Sequence, residues 1–139
     1  LAVFLPVVAG QSGNTGSQAL AVTMRGLALR EIGISQWFRV ARKEIMVGLI
    51  NGVAVAVTTS VIVFIWASSF GLAVVIGISM ILSMTIAGFS GAIIPMILQS
   101  LGQDPASSSS IILTTVTDIV GFLSFLGLAT ALAAVLGIV

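Results

Sequence analysis

The sequence predicts an all-α membrane protein, a polytopic bundle of helices that cross the bilayer. Of its 139 residues, 58% are hydrophobic and only 6% are charged, whereas about 25% of the residues in a soluble domain are charged. Long apolar stretches alternate with short polar or basic segments, and each stretch is long enough to span a bilayer core as a helix. Because lipid satisfies no backbone polar group, we expect helices in these stretches.

The hydrophobic pattern predicts four spans and one surface helix. The helix that contains the last span should begin at Pro105, because Asp104 followed by Pro105 fits an N-cap and a first helical position. The sequence begins within a hydrophobic stretch and without Met, so we expect a further span before Leu1 and five spans in the complete domain. The four spans are expected at about residues 1–24, 44–67, 72–98 and 107–137, and a short amphipathic helix at 35–43 is expected on the membrane surface, with Trp37 at headgroup level.

The basic residues are confined to one part of the chain. All five lie within residues 25–43, which the positive-inside rule places in the cytoplasm. With four spans, both ends of the chain would then lie outside. Membrane topology explains this segment better than nucleic-acid binding, so we expect lipid and no nucleic acid as a partner. The five are Arg25, Arg30, Arg39, Arg42 and Lys43.

The second half of the first span is unusually polar. Residues 10–18 contain no large hydrophobic side chain, so this part must line water or pack against protein. Its glycines allow close backbone approach and could present carbonyl oxygens to an ion. A small-residue contact between helices explains them equally well. Four residues of this segment share one helical face, namely Gly10, Gly13, Asn14 and Ser17.

An acidic residue lies near the middle of an apolar stretch long enough to span the bilayer. Asp118 sits within residues 111–129, where a charged side chain costs about 2.5 to 3.5 kcal/mol on insertion scales. Such a residue usually faces a bundle interior or a wet cavity and marks a functional site. The simpler alternative is a buried Asp that hydrogen-bonds a neighbouring helix. One face of the helix combines Asp118 with Ser110, Thr114 and Gly121.

The composition argues against enzymatic and transition-metal chemistry. The chain has no Cys and no His, which disfavours Zn, Cu and Fe–S sites but leaves a hard cation on oxygen ligands. Residues 88–91, Gly-Phe-Ser-Gly, are similar to the serine motif of rhomboid proteases, yet the chain lacks a His to act as the base. An aspartyl protease needs two carboxylates in one site, and only a homodimer could supply them. We therefore expect that this protein is not an enzyme.

Two segments carry a resemblance to a known family. Residues 6–32, PVVAGQSGNTGSQALAVTMRGLALREI, resemble the signature helix of the MgtE magnesium transporters. Residues 102–125, GQDPASSSSIILTTVTDIVGFLSF, resemble the last membrane helix of that family, including its acidic residue. The resemblance implies a homodimer in the bacterial plasma (inner) membrane, with an ion pore along the two-fold axis. It also implies cytoplasmic regulatory domains elsewhere in the same polypeptide.

The resemblance further implies which residues meet the ion. Asp118 and the carbonyl groups of Gly10 and Gly13 would hold a largely hydrated Mg²⁺, which is the transported ion. Ser17 and Ser110 stand where an amide side chain is common in bacterial members. The positions that match the pore lining are Asn14, Ser17, Ser110 and Thr114.

Elementary ion chemistry is consistent with this expectation. Mg²⁺ gives up water reluctantly and is usually held by one or two carboxylates, and a two-fold axis would pair one Asp118 from each chain. The sequence leaves three functions open: an uncoupled magnesium channel, an exchanger that couples Mg²⁺ to H⁺ or Na⁺ through Asp118, and a membrane scaffold without transport.

Overall fold

Four long α-helices make up nearly all of the structure. The computed structural model describes residues 2–136 and the side chains of residues 2–133, so both Leu1 and residue 137, the ends of the first and last expected spans, lie outside the described residues. Within this range there is no strand, and the expected all-α class is confirmed. The helices are α1 (Leu5–Ala28), α2 (Trp37–Ala67), α3 (Phe70–Ser100) and α4 (Pro105–Leu136), with 3₁₀ turns at Ala2–Phe4 and Ile34–Gln36.

Three helical segments are long and apolar enough to cross a membrane. They are Ile34–Ala67, Phe70–Ser100 and Pro105–Ala133, and together they establish a membrane helix bundle. The 24 residues of α1 would reach about 36 Å at 1.5 Å per residue, but its polar second half lowers its hydropathy. A crossing by α1, and with it the count of four spans, stays a prediction.

The most buried helix is α3, which packs against each of the other three. Val75, Ile76 and Met80 in its first half are completely buried, and they belong to a core that also includes Val8 of α1 and Phe125 of α4. By contrast, α1 and α2 hardly touch each other. The bundle therefore has an open cleft between α1 and α2, and α3 forms its floor.

Small residues bring α2 and α3 close together, as the spacing of Gly48, Gly52, Ala56 and Ser60 predicts. A Cβ atom placed on Gly48 would lie 2.6 Å from the carbonyl oxygen of Met84, which no real side chain tolerates. One turn nearer the start of α2, a Cβ on Gly88 of α3 would lie 2.5 Å from the carbonyl oxygen of Glu44. The backbones of the two helices are thus in direct contact, as in other small-residue membrane interfaces.

The expectation of a separate surface helix at 35–43 is wrong. Residues from Trp37 onward are the first turns of α2, a continuous helix of 31 residues. No Gly or Pro separates this segment from the span that follows, so nothing ends the helix there. Part of its apolar side packs inside the protein, where Val40 contacts Ala92 and Met96 of α3. Trp37 and Phe38 remain exposed.

The expected start of the last helix is confirmed. α4 begins at Pro105, and Oδ1 of Asp104 accepts a hydrogen bond from the backbone N–H of Ala106 at 3.0 Å. This bond satisfies one of the free N–H groups at the helix start. The side chain of Ser69 caps α3 in the same way, accepting from the N–H of Leu72 at 3.3 Å.

Candidate ion pathway

The acidic residue of α4 lies on the outer surface of the single chain. Asp118, Thr114 and Ser110 are all exposed, and they follow one another along one side of the helix. Within residues 2–133, no hydrogen bond or ion pair reaches the carboxylate of Asp118. A contact between Asp118 and a neighbouring helix of the same chain, the simpler alternative above, therefore has no support from the structure.

Gly121, which the sequence places on the same helical face as Asp118, is not exposed like the other residues of that face. It is buried, and a Cβ atom in its place would lie 3.0 Å from Cα of Ala9. The residue thus allows α1 and α4 to approach and does not face the outer surface with Asp118. Ideal helical spacing places Gly121 between Ser110 and Thr114 around the helix axis, so its burial comes from the position of α1 and not from its place on α4.

The polar part of α1 presents a second exposed face next to that of α4. Gly10, Asn14 and Ser17 are exposed and Gly13 is partly buried. A Cβ on Gly10 would meet nothing within 4 Å, and one on Gly13 would lie 3.9 Å from Oγ1 of Thr117. Both carbonyl oxygens belong to a continuous helix, so each accepts a backbone hydrogen bond and has one further lone pair for water or an ion.

A buried hydrogen bond holds these two faces side by side. Oγ of Ser12 lies 3.2 Å from the carbonyl oxygen of Thr117, which directly precedes Asp118. One turn further along α1, a Cβ on Gly16 would lie 3.1 Å from Cδ1 of Leu113, so the helices are in close contact there too. We call the joint surface the α1/α4 polar face and define it by Gly10, Gly13, Asn14, Ser17, Ser110, Thr114 and Asp118.

The hydroxyl of Thr114 is oriented by its own helix. Its Oγ1 donates to the carbonyl oxygen of Ser110 at 2.9 Å, so the hydroxyl hydrogen is used within α4. The remaining lone pairs of the oxygen can then accept from water or contact a cation. This arrangement suits a surface that carries a hydrated positive ion.

The cleft between α1 and α2 contains polar residues that the sequence analysis did not assign to a pathway. A cavity of about 550 Å³ lies there, and Asn14 and Ser17 form part of its wall. Asn51 of α2 lines the opposite wall of this cavity. A sequence signal did exist, because Gln11, Asn14 and Gln18 recur at helical spacing on one side of α1. The amide side chains in the wall are those of Gln11, Asn14, Gln18 and Asn51.

Three apolar helices of spanning length, packed into one bundle, define a polytopic membrane protein. The chain belongs to the MgtE family, because the model of that family, described as a divalent cation transporter, matches residues 5–128. The resemblance found in residues 6–32 and 102–125 is thereby confirmed.

Three curated relatives give the same result, and each bears the name magnesium transporter MgtE. The chain is 35% identical to the protein of Enterococcus faecalis over 130 residues and 38% identical to that of Bacillus subtilis over 131 residues. It is 36% identical to that of Thermus thermophilus over 132 residues. The alignments cover 94% of this chain in the first two cases and 95% in the third, but only 29% of each relative.

Proposed function

We propose that this chain is the membrane part of a magnesium transporter and that a second copy completes its ion pathway. The observation that carries the proposal is the exposure of Asp118 on a helix that is apolar enough to span a membrane. A carboxylate that faced lipid there would cost about 2.5 to 3.5 kcal/mol. It therefore faces either a protein partner or water.

A two-fold axis beside the α1/α4 polar face satisfies this requirement. Two-fold dimers are the commonest homo-oligomers among soluble proteins, and in them the same patch of each subunit faces its copy. Two Asp118 carboxylates would repel each other unless a cation lies between them, and a divalent cation neutralises both charges. The small side chains around Asp118 leave room for the water that Mg²⁺ keeps.

The residues of the polar face take two roles in this proposal. Asp118 of each chain binds the hydrated ion, and the carbonyl oxygens of Gly10 and Gly13 accept hydrogen bonds from its water molecules. The hydroxyl and amide groups that line the path between the aqueous sides and this site are those of Asn14, Ser17, Ser110 and Thr114.

The distribution of charge supports an orientation. The basic residues lie in the 25–43 segment, at one end of the bundle, and cytoplasmic loops carry an excess of Lys and Arg. We place this end in the cytoplasm and the protein in the bacterial plasma membrane. Charged lipid headgroups on the cytoplasmic side would contact the same basic end.

Magnesium flux into liposomes tests the proposal. The complete polypeptide, as parent and as Asp118→Asn, is reconstituted and its flux measured with and without an imposed proton or sodium gradient. Asn keeps the shape of Asp and removes the charge, so the variant should insert and assemble but lose most of its flux. Asp104→Asn is the matched control, because it removes an exposed carboxylate while Asn still caps α4. Parental flux in a well-assembled Asp118→Asn protein would contradict the proposal.

The imposed gradients distinguish a channel from an exchanger. Magnesium flux through the parent that requires a proton or sodium gradient would indicate an exchanger, and flux without a gradient would indicate a channel.

A further inference from the structure

A second carboxylate is buried in the bundle. The side chain of Glu44, near the start of α2, is only 6% exposed, whereas Asp118 is exposed. Among the described side chains its ion-pair partner is Lys43, whose Nζ lies 3.8 Å from Oε1 of Glu44 and whose side chain is 67% exposed. No hydrogen bond reaches the Glu44 carboxylate from any residue whose side chain the structure describes. A buried carboxylate with so little compensation is expensive to keep in a protein.

Glu44 lines two cavities, one deeper in the bundle (the inner cavity) and one nearer its basic end (the outer cavity). The inner cavity, of about 190 Å³, is also lined by Thr15, Gln18 and Asn51. These three residues also line the 550 Å³ cavity of the cleft, so the inner cavity adjoins it. The share of liquid volume that one water takes is about 30 Å³, and the inner cavity therefore has room for an ion with several water molecules.

The outer cavity lies towards the basic end of the bundle. It has a volume of about 360 Å³, and Thr23 and Arg25 line it together with Glu44. Oγ1 of Thr23 is buried and has no hydrogen-bond partner among the residues described. A buried hydroxyl without a partner normally binds water, so we expect water in the outer cavity beside Glu44.

We infer that Glu44 is the charged ligand of a second site for a hydrated divalent cation, located inside each chain and away from the two-fold axis. The inference rests on the proposed function for the identity of the ion, Mg²⁺. Glu44 and Asn51 are two turns apart, about 10 Å along α2, whereas Mg²⁺ binds its ligands at about 2.0 to 2.1 Å. One ion cannot bind both side chains directly. Glu44 binds the ion, and water molecules connect it to the oxygens of Thr15, Gln18 and Asn51.

The charges around Glu44 favour the inner cavity. The outer cavity is lined by three basic side chains and one further carboxylate besides Glu44, so positive charge exceeds negative charge there and a cation is repelled; these residues are Arg25, Arg39, Lys43 and Glu31. Lys43 lines the inner cavity but is its one basic residue. Because Lys43 is mostly exposed and only loosely paired at 3.8 Å, its ammonium group can move into solvent when a divalent ion arrives. Lys43 is therefore a competitor of the cation at this site.

Equilibrium binding of Mg²⁺ to the purified complete polypeptide tests the inference. Parent, Glu44→Gln, Asn51→Leu and Lys43→Gln proteins are compared by equilibrium dialysis, with Asp104→Asn as the matched control that removes an exposed carboxylate. Glu44→Gln should bind one Mg²⁺ fewer per chain than the control. Asn51→Leu should bind the same ion more weakly, and Lys43→Gln should bind it several-fold more tightly, because the competing charge is gone.

Two results would overturn the inference. One is an equal number of bound ions in Glu44→Gln and Asp104→Asn. The other is a Lys43→Gln protein that binds Mg²⁺ no more tightly than the parent, and this result remains decisive if Glu44→Gln fails to fold. Asp118→Asn separates the two proposals. It should lose the ion at the axis and most of the flux but keep the ion at Glu44, whereas parental flux in Asp118→Asn would contradict the proposed function alone.

Discussion

The hydroxyl of Ser12 on α1 lies 3.2 Å from the carbonyl oxygen of Thr117 on α4, one residue before Asp118. The same hydroxyl is 2.9 Å from the carbonyl oxygen of Ala9 in its own helix, so its hydrogen is shared between the two acceptors. Ser12 is completely buried. This side chain therefore fixes how the exposed face of α1 is aligned with that of Asp118.

Replacing Ser12 should weaken this alignment slightly. Ser12→Ala removes the donor, and hydrogen bonds between membrane helices contribute about 0.6 kcal/mol on average. We expect a free energy of unfolding about 0.5 to 1.5 kcal/mol lower, measured by reversible unfolding in detergent. The matched control is Thr58→Ala, because Oγ1 of Thr58 is exposed and donates to Ala54 of its own helix. An equal effect of the two changes would show that the link between α1 and α4 adds no stability.

The sequence predicts the local elements of this fold well, because their causes are local. Apolar stretches of the right length predict the helices, and Asp104 before Pro105 predicts the start of α4. The boundary at residue 43 was wrong for a related reason. The basic residues before residue 43 indicate a membrane surface, but they do not break the helix. Val40, which lies among them, packs on α3, so α2 already includes this segment.

The candidate site could be predicted only in part. The intramembrane charge and helical spacing indicate Asp118 and its exposed neighbours. The orientation of Gly121 towards Ala9 depends on where α1 lies, and residue spacing does not contain that information. The cavity next to Asn51 and Glu44 exists because α1 and α2 diverge while both pack on α3. This is a property of the assembled bundle, and single-helix patterns cannot predict it.

The contact between α1 and α3 leaves no space for a side chain at Gly91. A Cβ atom there would collide with the carbonyl oxygen of Gly16 and lie 2.9 Å from Cβ of Ala19. Gly91→Ala should therefore lower the free energy of unfolding by about 1 to 3 kcal/mol. Gly127→Ala is the control, because a Cβ on Gly127 meets nothing within 4 Å. A melting temperature of Gly91→Ala equal to that of the control would contradict this close contact.

The orientation in the membrane can be tested by labelling single cysteines in a chain that has none of its own. Ser35 and Gln103 are exposed at the ends of helices on the basic side, and Ser68 is exposed between α2 and α3. Ser35→Cys and Gln103→Cys should react with an impermeant thiol reagent only after the membrane is opened. Ser68→Cys should react in intact cells. Labelling of Ser35→Cys and Ser68→Cys from the same side would contradict a crossing by α2.

The proposed two-fold axis predicts which surfaces of two chains meet. Thr114 and Ser17 are exposed on the α1/α4 polar face, so each should approach the same residue of a second copy. In native membranes, Thr114→Cys and Ser17→Cys should form covalent dimers under mild oxidation, and added Mg²⁺ should raise the yield for Thr114→Cys because it draws the two Asp118 carboxylates together. Ile62→Cys is the control, since Ile62 is 60% exposed on a helix without appreciable contact with α4. Dimers that form through Ile62 but not through Thr114 or Ser17 would place the interface on α2 and leave each chain with its own ion pathway.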